Sequence, residues 1–447
     1  MILAARWILP ITREPLTDGA VLVEKGKIKK VGKKEEILRS FPRERVLDFG
    51  EAVLLPGFVD THTHLEYAVF RGLCDDLSFV PWKIQVTKKE RKLNPEDWEI
   101  SAKLGVLEAI QSGITCVADT TKSEASLKIL TEAGLRGAVF YEIVGMDPAQ
   151  TDHILAESKA IVSKWQKAAD SDLIQVGLSP YSVYTVSPPL FKAVSRWAKK
   201  NNLPISLHLA GSKDEYLFVQ YGSSELATKF RELMGWGELL WQPLGVSPVK
   251  YLEQWEVFKG RAIAVHCVQV DDADLDILEA NNVAIAHCPK CSAKLGMGVA
   301  PLAKFQERKL KVGLGTDSPA SNNTMDILDE TRTGLLLQRG VNQSVNNLGA
   351  KEFLMMSTLG GAEVLGIENK VGSLEEGKEA DIIGVEISHS HQIPVRDPYS
   401  TLVYTASQED IMFTMVKGKI LYQKGKASIL AQEDIRAQVD KVRSKLY

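Results

Sequence analysis

Short apolar runs bounded by turn residues open the chain. Residues 20–31 (AVLVEKGKIKKV) place two β-rich runs around a glycine turn, the pattern of a hairpin. The far end has the same texture: residues 380–387 (ADIIGVEI), then residues 411–416, a Lys417-Gly418-Lys419 turn and residues 420–422. Between these ends the rhythm changes. Short apolar runs alternate with longer amphipathic stretches such as residues 96–111, 187–200 and 271–280, the βα pattern of a parallel sheet. Candidate strands end near Asp60, Asp119, Val144, Pro180, Leu209, Val268, Cys288 and Asp317. This predicts an α/β fold: a (β/α)8 TIM barrel over residues 56–365, with a small β-sandwich domain built from both termini, residues 1–55 and 366–447. In such a barrel the chemistry gathers at the C-terminal strand ends. The longest intervening segment, residues 211–260, is rich in Trp, Gly and Pro. It is expected to form an irregular lid or pocket wall, with a plain surface excursion as the alternative.

Composition narrows the class. A chain of 447 residues is too long for one compact core and suits two domains. With 45% hydrophobic and 25% charged residues, a largely disordered chain is excluded. Lys and Arg total 54 against 57 Asp and Glu, a net charge of −3. No basic excess draws phosphate backbones or anionic lipid, so neither nucleic acid nor membrane is expected as a partner. Five cysteines, an odd number, fit a reduced cytoplasmic setting better than a disulfide framework. The first ten residues break at Arg6 and Pro10, too early for the core of a signal peptide. No apolar run approaches the roughly 18 residues of a membrane span.

The histidines carry the strongest chemical signal. Of eight, five fall at or beside predicted strand ends: His62, His64, His208, His266 and His287. Asp317 follows the eighth strand. In an extended strand alternate residues face the same side, so His62 and His64 can reach one ion. His208 and Asp317 add a nitrogen and an oxygen from strands five and eight. Three neutral imidazoles and a carboxylate suit one divalent metal ion, Zn²⁺ first and Fe²⁺ second. An ion so held makes a water acidic enough to act as hydroxide near neutrality, and Asp317 can take its proton.

Residues 56–66 (PGFVDTHTHLE), His208, His266 and residues 315–318 (GTDS) resemble the amidohydrolase superfamily. The resemblance spans nearly the whole chain, including residues 371–381 (VGSLEEGKEAD). It is nearest the branch of triazine hydrolases and of deaminases acting on methylthioadenosine, adenosylhomocysteine and aminodeoxyfutalosine. Residues 70–73 (FRGL), Trp82, Tyr184, Thr185, residues 287–289 (HCP), 294–296 (KLG), 300–302 (APL) and 316–322 (TDSPASN) support that branch. It implies a single metal, because residues 177–182 (GLSPYS) offer no lysine to bridge two. It also implies that His62, His64, His208 and Asp317 are the ligands and that His266 bonds the attacking water or the tetrahedral oxygen. Trp82 and Tyr181 are expected to stack on a flat heterocyclic substrate. A homodimer is implied by resemblance alone.

The chain departs from that pattern at three places. Related deaminases carry His-X-X-Glu at strand five, where the glutamate protonates the ring nitrogen; here the position holds Gly211. A positioned acid is worth on the order of 10²–10⁴ in rate. Glu215, Glu142 and a water relayed from Asp317 are the candidate replacements. Ser-Pro-His becomes Ser179-Pro180-Tyr181, and Cys-Pro-X-Ser-Asn becomes Cys288-Pro289-Lys290-Cys291-Ser292. Cys288 and Cys291 form half a zinc ribbon with no second pair, so pocket-edge or core packing is expected of them. Trp236 and Trp241 are expected to pack. The expected function is metal-dependent hydrolysis of a C–N bond in a small heterocycle, foremost deamination of an aminopurine nucleoside or related aminated ring. Hydrolysis of an amide, ureide or halogenated ring is the first alternative, and a catalytically weak binding protein the second.

Overall fold

The computed structural model describes residues 1–346, 348–428 and 432–446. Five strands come first: β1 (Ile2–Ile8), β2 (Leu16–Glu24), β3 (Lys27–Lys33), β4 (Val46–Asp48) and β5 (Ala52–Pro56). The hairpin read at residues 20–31 is the β2–β3 pair, antiparallel through Val21 opposite Val31.

Gly57 alone separates β5 from the next strand. Eight strands then follow: β6 (Phe58–Thr63), β7 (Ile114–Thr121), β8 (Arg136–Ile143), β9 (Ile174–Pro180), β10 (Ile205–Leu209), β11 (Ala262–His266), β12 (Ala284–His287) and β13 (Val312–Leu314). They pair in chain order and all in parallel. A parallel bridge from Thr63 to Asp317 closes the ring. Each of β6, β7, β10, β11, β12 and β13 is buried along its whole length, as expected of strands covered on both faces. Thr61 and Thr63 donate across the closing seam to the carbonyls of Leu314 and Asp317 at 2.9 and 3.0 Å. Gly361 lets the helix Leu359–Leu365 lie on this end of the barrel, because a Cβ there would come within 2.8 Å of Val59.

The chain returns through β14 (Ile382–Glu386), β15 (Ile411–Val416), β16 (Lys419–Gln423) and β17 (Lys426–Ala427). These join the first five in one sheet, ordered β17-β16-β15-β14-β5-β1-β2-β3 with β4 beside β1. The two ends of the chain meet where β14 runs antiparallel to β5. Leu3, Val21 and Ile28 share a core with Ile382, Phe413 and Met415, so the sheet curls and packs on itself in the manner of a sandwich. Arg136 on β8 ties it to the barrel: its Nε and Nη2 reach Asp381 at 2.8 and 3.1 Å, and Nη2 reaches Glu379 at 2.6 Å.

Residues 211–260 are more regular than their composition suggests. They form helices at Lys213–Tyr221, Leu226–Phe230, Arg231–Leu233 and Pro248–Gln254. Ser212 and Ser247 cap two of these by accepting from the amides of Glu215 and Lys250. Trp241 stacks on Phe218 at 4.4 Å and donates to its carbonyl, and Trp236 packs partly buried against the core. Among the described residues, no helix is long and apolar enough to cross a membrane.

Candidate metal centre and pocket

Strand β6 carries His62 and delivers His64 just beyond its end. β10 supplies His208, β11 ends on His266, and Asp317 follows β13. The barrel thereby gathers on one rim residues that lie far apart in sequence. One ligand atom from each of His62, His64, His208 and Asp317 lies within 4.8 Å of all the others, and all four residues are buried. Asp317 Oδ1 is 3.4 Å from His62 Nε2 and 3.6 Å from His64 Nε2. The His62 ring stands edge-on to those of His64 and His208, at 4.9 and 4.8 Å.

Hydrogen bonds orient these rings. His64 Nδ1 donates to the Thr120 carbonyl at 2.9 Å, and His208 Nδ1 to the Tyr181 carbonyl at 3.2 Å. Each is left with Nε2 as a lone pair, the tautomer a ligand needs. Both ring nitrogens of His62 are buried; Nδ1 has no hydrogen-bond partner, and Nε2 has only the long 3.4 Å approach of Asp317 Oδ1. A buried imidazole so poorly partnered is costly, and an ion among these four residues would relieve that cost.

Electrostatics favour the same state. Burial, with the neighbouring His62 ring, pushes His64 down to about 3, and burial takes His266 down to about 4. Burial drives His208 well below its ordinary value too. Burial alone raises Asp317, but the His62 contact and the surrounding imidazoles outweigh it and hold the carboxyl well below the usual range. Neutral imidazoles beside an ionised carboxylate are the protonation state of a metal-ligand set.

The backbone around these side chains is unusual. His266 and Asp317 have φ of 77° and 56°, in the left-handed region that non-glycine residues seldom occupy. Asp60 helps hold this turn, accepting from the amides of His62 and Thr316 at 3.2 and 3.0 Å and from the Thr316 hydroxyl at 2.6 Å.

Residues 53–421 match the model of the amidohydrolase family. The chain belongs to the amidohydrolase family. It is 32% identical over 97% of its length to a 5-methylthioadenosine/S-adenosylhomocysteine deaminase of Thermodesulfovibrio yellowstonii, covering 96% of that protein. It is 33% identical over 93% of its length to a 5'-deoxyadenosine deaminase of Methanothermobacter thermautotrophicus, covering 92% of it. A solved adenosine deaminase from Xanthomonas campestris with bound zinc superposes with a TM-score of 0.87 at 26% identity, over 100% of this chain and 98% of that one.

The pocket of this amidohydrolase opens above the four residues. Its void is about 600 Å³, mouth included, with walls that include Tyr67, Phe79, Trp82, Tyr181 and Tyr184. Trp82 is buried and donates through Nε1 to the Ala320 carbonyl at 3.0 Å. The Tyr181 ring lies 4.3 Å from that of His208. Its hydroxyl accepts from Lys83 Nζ at 2.7 Å.

Of residues 211–260, Gly211 and Glu215 reach this pocket, so the segment contributes to its wall and does not cover it. A Cβ on Gly211 would come within 3.2 Å of the His266 ring. Glu215 sends its carboxyl back into that corner, where Oε1 accepts from the Ala210 amide at 2.8 Å and Oε2 from the Gly211 amide at 2.9 Å. Burial raises this carboxyl to about 7 against the two amides, which lower it.

Cys288 and Cys291 are buried free thiols. Cys291 does more than pack: it lines the pocket and donates to Asp317 Oδ2 at 2.7 Å, beside the Ser321 hydroxyl at 3.0 Å. Its sequence signal was its place in the altered Cys-Pro-X-Ser-Asn stretch. Lys83 had no such signal, although it follows Trp82. His287 lies outside the pocket walls, with both ring nitrogens buried and unpartnered.

Proposed function

We propose that this amidohydrolase removes the exocyclic amino group of an aminopurine nucleoside by hydrolysis, in the cytoplasm, with one zinc ion held by His62, His64, His208 and Asp317; Fe²⁺ suits the same donors. The observation that carries this reading is the convergence of three buried imidazoles and one carboxylate on the floor of a pocket walled by aromatic rings. The ion supplies hydroxide near neutral pH. Asp317 would both help hold the ion and take the proton of the attacking water, with the Cys291 thiol and the Ser321 hydroxyl donating to Oδ2 to fix its carboxylate. His266, neutral and with Nδ1 unpaired, faces the same floor and stabilises the oxygen adding to the ring carbon. Trp82 and Tyr181 flank the flat base. Water adds, the C–N bond breaks, and ammonia leaves an oxo-substituted ring.

One observation favours a second reading, hydrolysis of an amide, ureide or halogenated ring. No side chain occupies the Gly211 position, and both oxygens of Glu215 already serve backbone amides. A leaving group that needs no ring protonation suits such a corner. Incubating the metal-loaded enzyme with aminopurine nucleosides, ureides and halogenated triazines, and assaying ammonia, carboxylate and halide, separates the two. Ammonia from a nucleoside is the expected product. A natural enzyme that releases none, with deamination appearing only in Gly211→Glu, overturns the deaminase reading.

A further inference from the structure

Glu66 closes the stretch of residues 56–66 and takes no part in the chemistry above. It is 2% exposed and lies outside the pocket walls. Its carboxyl reaches instead to the turn that follows β7. Oε1 accepts from the Lys122 amide at 3.0 Å, and Oε2 accepts from the hydroxyls of Thr121 and Ser123 at 2.7 and 2.6 Å. A buried carboxyl with three donors is fully supplied, and bonds to such a group are among the stronger ones a protein makes.

The grip runs both ways. From β7, Asp119 Oδ1 accepts from the Leu65 amide at 2.7 Å, and the Thr120 carbonyl accepts from His64 Nδ1 at 2.9 Å. Five hydrogen bonds therefore clasp residues 64–66 to residues 119–123. The last ladder pair between these two strands is Thr63 with Asp119. His64 stands one residue past the end of β6, with φ −133° and ψ 82°, as the chain turns into the short 3-10 helix Leu65–Phe70. The sheet no longer fixes its backbone there; the clasp does. A ring that bonds through Nδ1 alone can still swing if the chain on either side shifts, and a ligand nitrogen displaced in that way binds its ion less tightly.

We propose that Glu66 is a positioning residue for the metal centre: it fastens the chain beyond His64 to the turn after β7 and so aims His64 Nε2 at the ion. This rests on the metal ligands proposed above, and not on the identity of the substrate. The test measures zinc affinity of the full-length chain by competition with a chromophoric chelator. Glu66→Ala removes all three bonds. Glu66→Gln keeps an oxygen for the Lys122 amide, and the Thr121 and Ser123 hydroxyls can rotate to accept from its NH2 group. Zinc binding should weaken by about tenfold to a hundredfold in Glu66→Ala, as for other groups that orient a ligand, and Glu66→Gln should recover most of it. With cobalt(II) in place of zinc, the visible absorption bands report ligand geometry; they should shift in Glu66→Ala and stay near the native positions in Glu66→Gln.

Thr121→Val guards against an alanine variant that does not fold, because it keeps the size of the side chain and removes one donor from the far side of the clasp. It should weaken zinc binding at an unchanged melting temperature of the metal-free chain, and it should add little once Glu66 is alanine. Zinc held as tightly by Glu66→Ala, or where that fails to fold by Thr121→Val, as by the native chain overturns the proposal and leaves the metal centre standing. Zinc bound by no form of the protein overturns both. Weakened zinc binding in the variants of an enzyme that releases no ammonia upholds the clasp and refutes the deaminase reading.

Discussion

At the scale of single residues, His287 shows how burial without a partner becomes a pH dependence. Burial pushes its ring down to about 4, against about 6.5 for an unfolded histidine. Its folded environment accepts only the neutral ring. Stability tied to it is therefore complete above pH 6.5 and is lost as the pH falls towards 4, by about 2–3 kcal/mol between pH 7 and 4.5. His287→Asn should flatten the difference in urea-unfolding free energy between those two pH values by that amount; an unchanged difference shows that the ring titrates normally. The four proposed metal ligands were legible in the sequence because each stands at or just past the end of an apolar run, and strand geometry alone puts them on one rim. Cys291, Lys83 and the clasp made by Glu66 were not. They depend on which side chains from neighbouring turns fold back across the rim, and local pattern does not encode that.

At the scale of elements, the joint between β8 and the chain before β14 is a buried ion pair. Arg136 is 3% exposed and holds both Asp381 and Glu379. Removing the cation leaves Asp381 charged in the interior, a change that costs about 3–5 kcal/mol. Arg136→Ala should show that loss in chemical denaturation, and Arg136→Ala combined with Asp381→Ala should recover part of it. Non-additivity of zero means that the two side chains do not act as a pair. Strand ends were read to within a few residues because fully buried parallel strands stand out as apolar runs between amphipathic helices. The helices of residues 211–260 were missed for the opposite reason. Their periodicity is short and interrupted by Trp, Gly and Pro, and the caps at Ser212 and Ser247 lie inside stretches that look like loop.

At the scale of the whole molecule, the four proposed ligand groups converge only in the folded state, so an ion bound there would add its binding free energy to folding. Stripping the metal with a chelator should lower the melting temperature by several degrees and abolish turnover, and restoring zinc should return both. A melting temperature indifferent to chelation argues that the site holds no ion. The composite terminal sheet was legible in outline, since both chain ends share a β-rich texture. Its pairing was not, because no local signal says that β14 should dock beside β5. That pairing has a consequence during synthesis. β5 is buried along its whole length in the finished protein, yet its neighbour begins only at Ile382. Until the ribosome has made the entire barrel, this row of valine and leucine has one unpaired edge in a crowded cell. The nascent chain must be shielded through that wait, and a message cut short before Ile382 would yield a sticky fragment and not a smaller working enzyme.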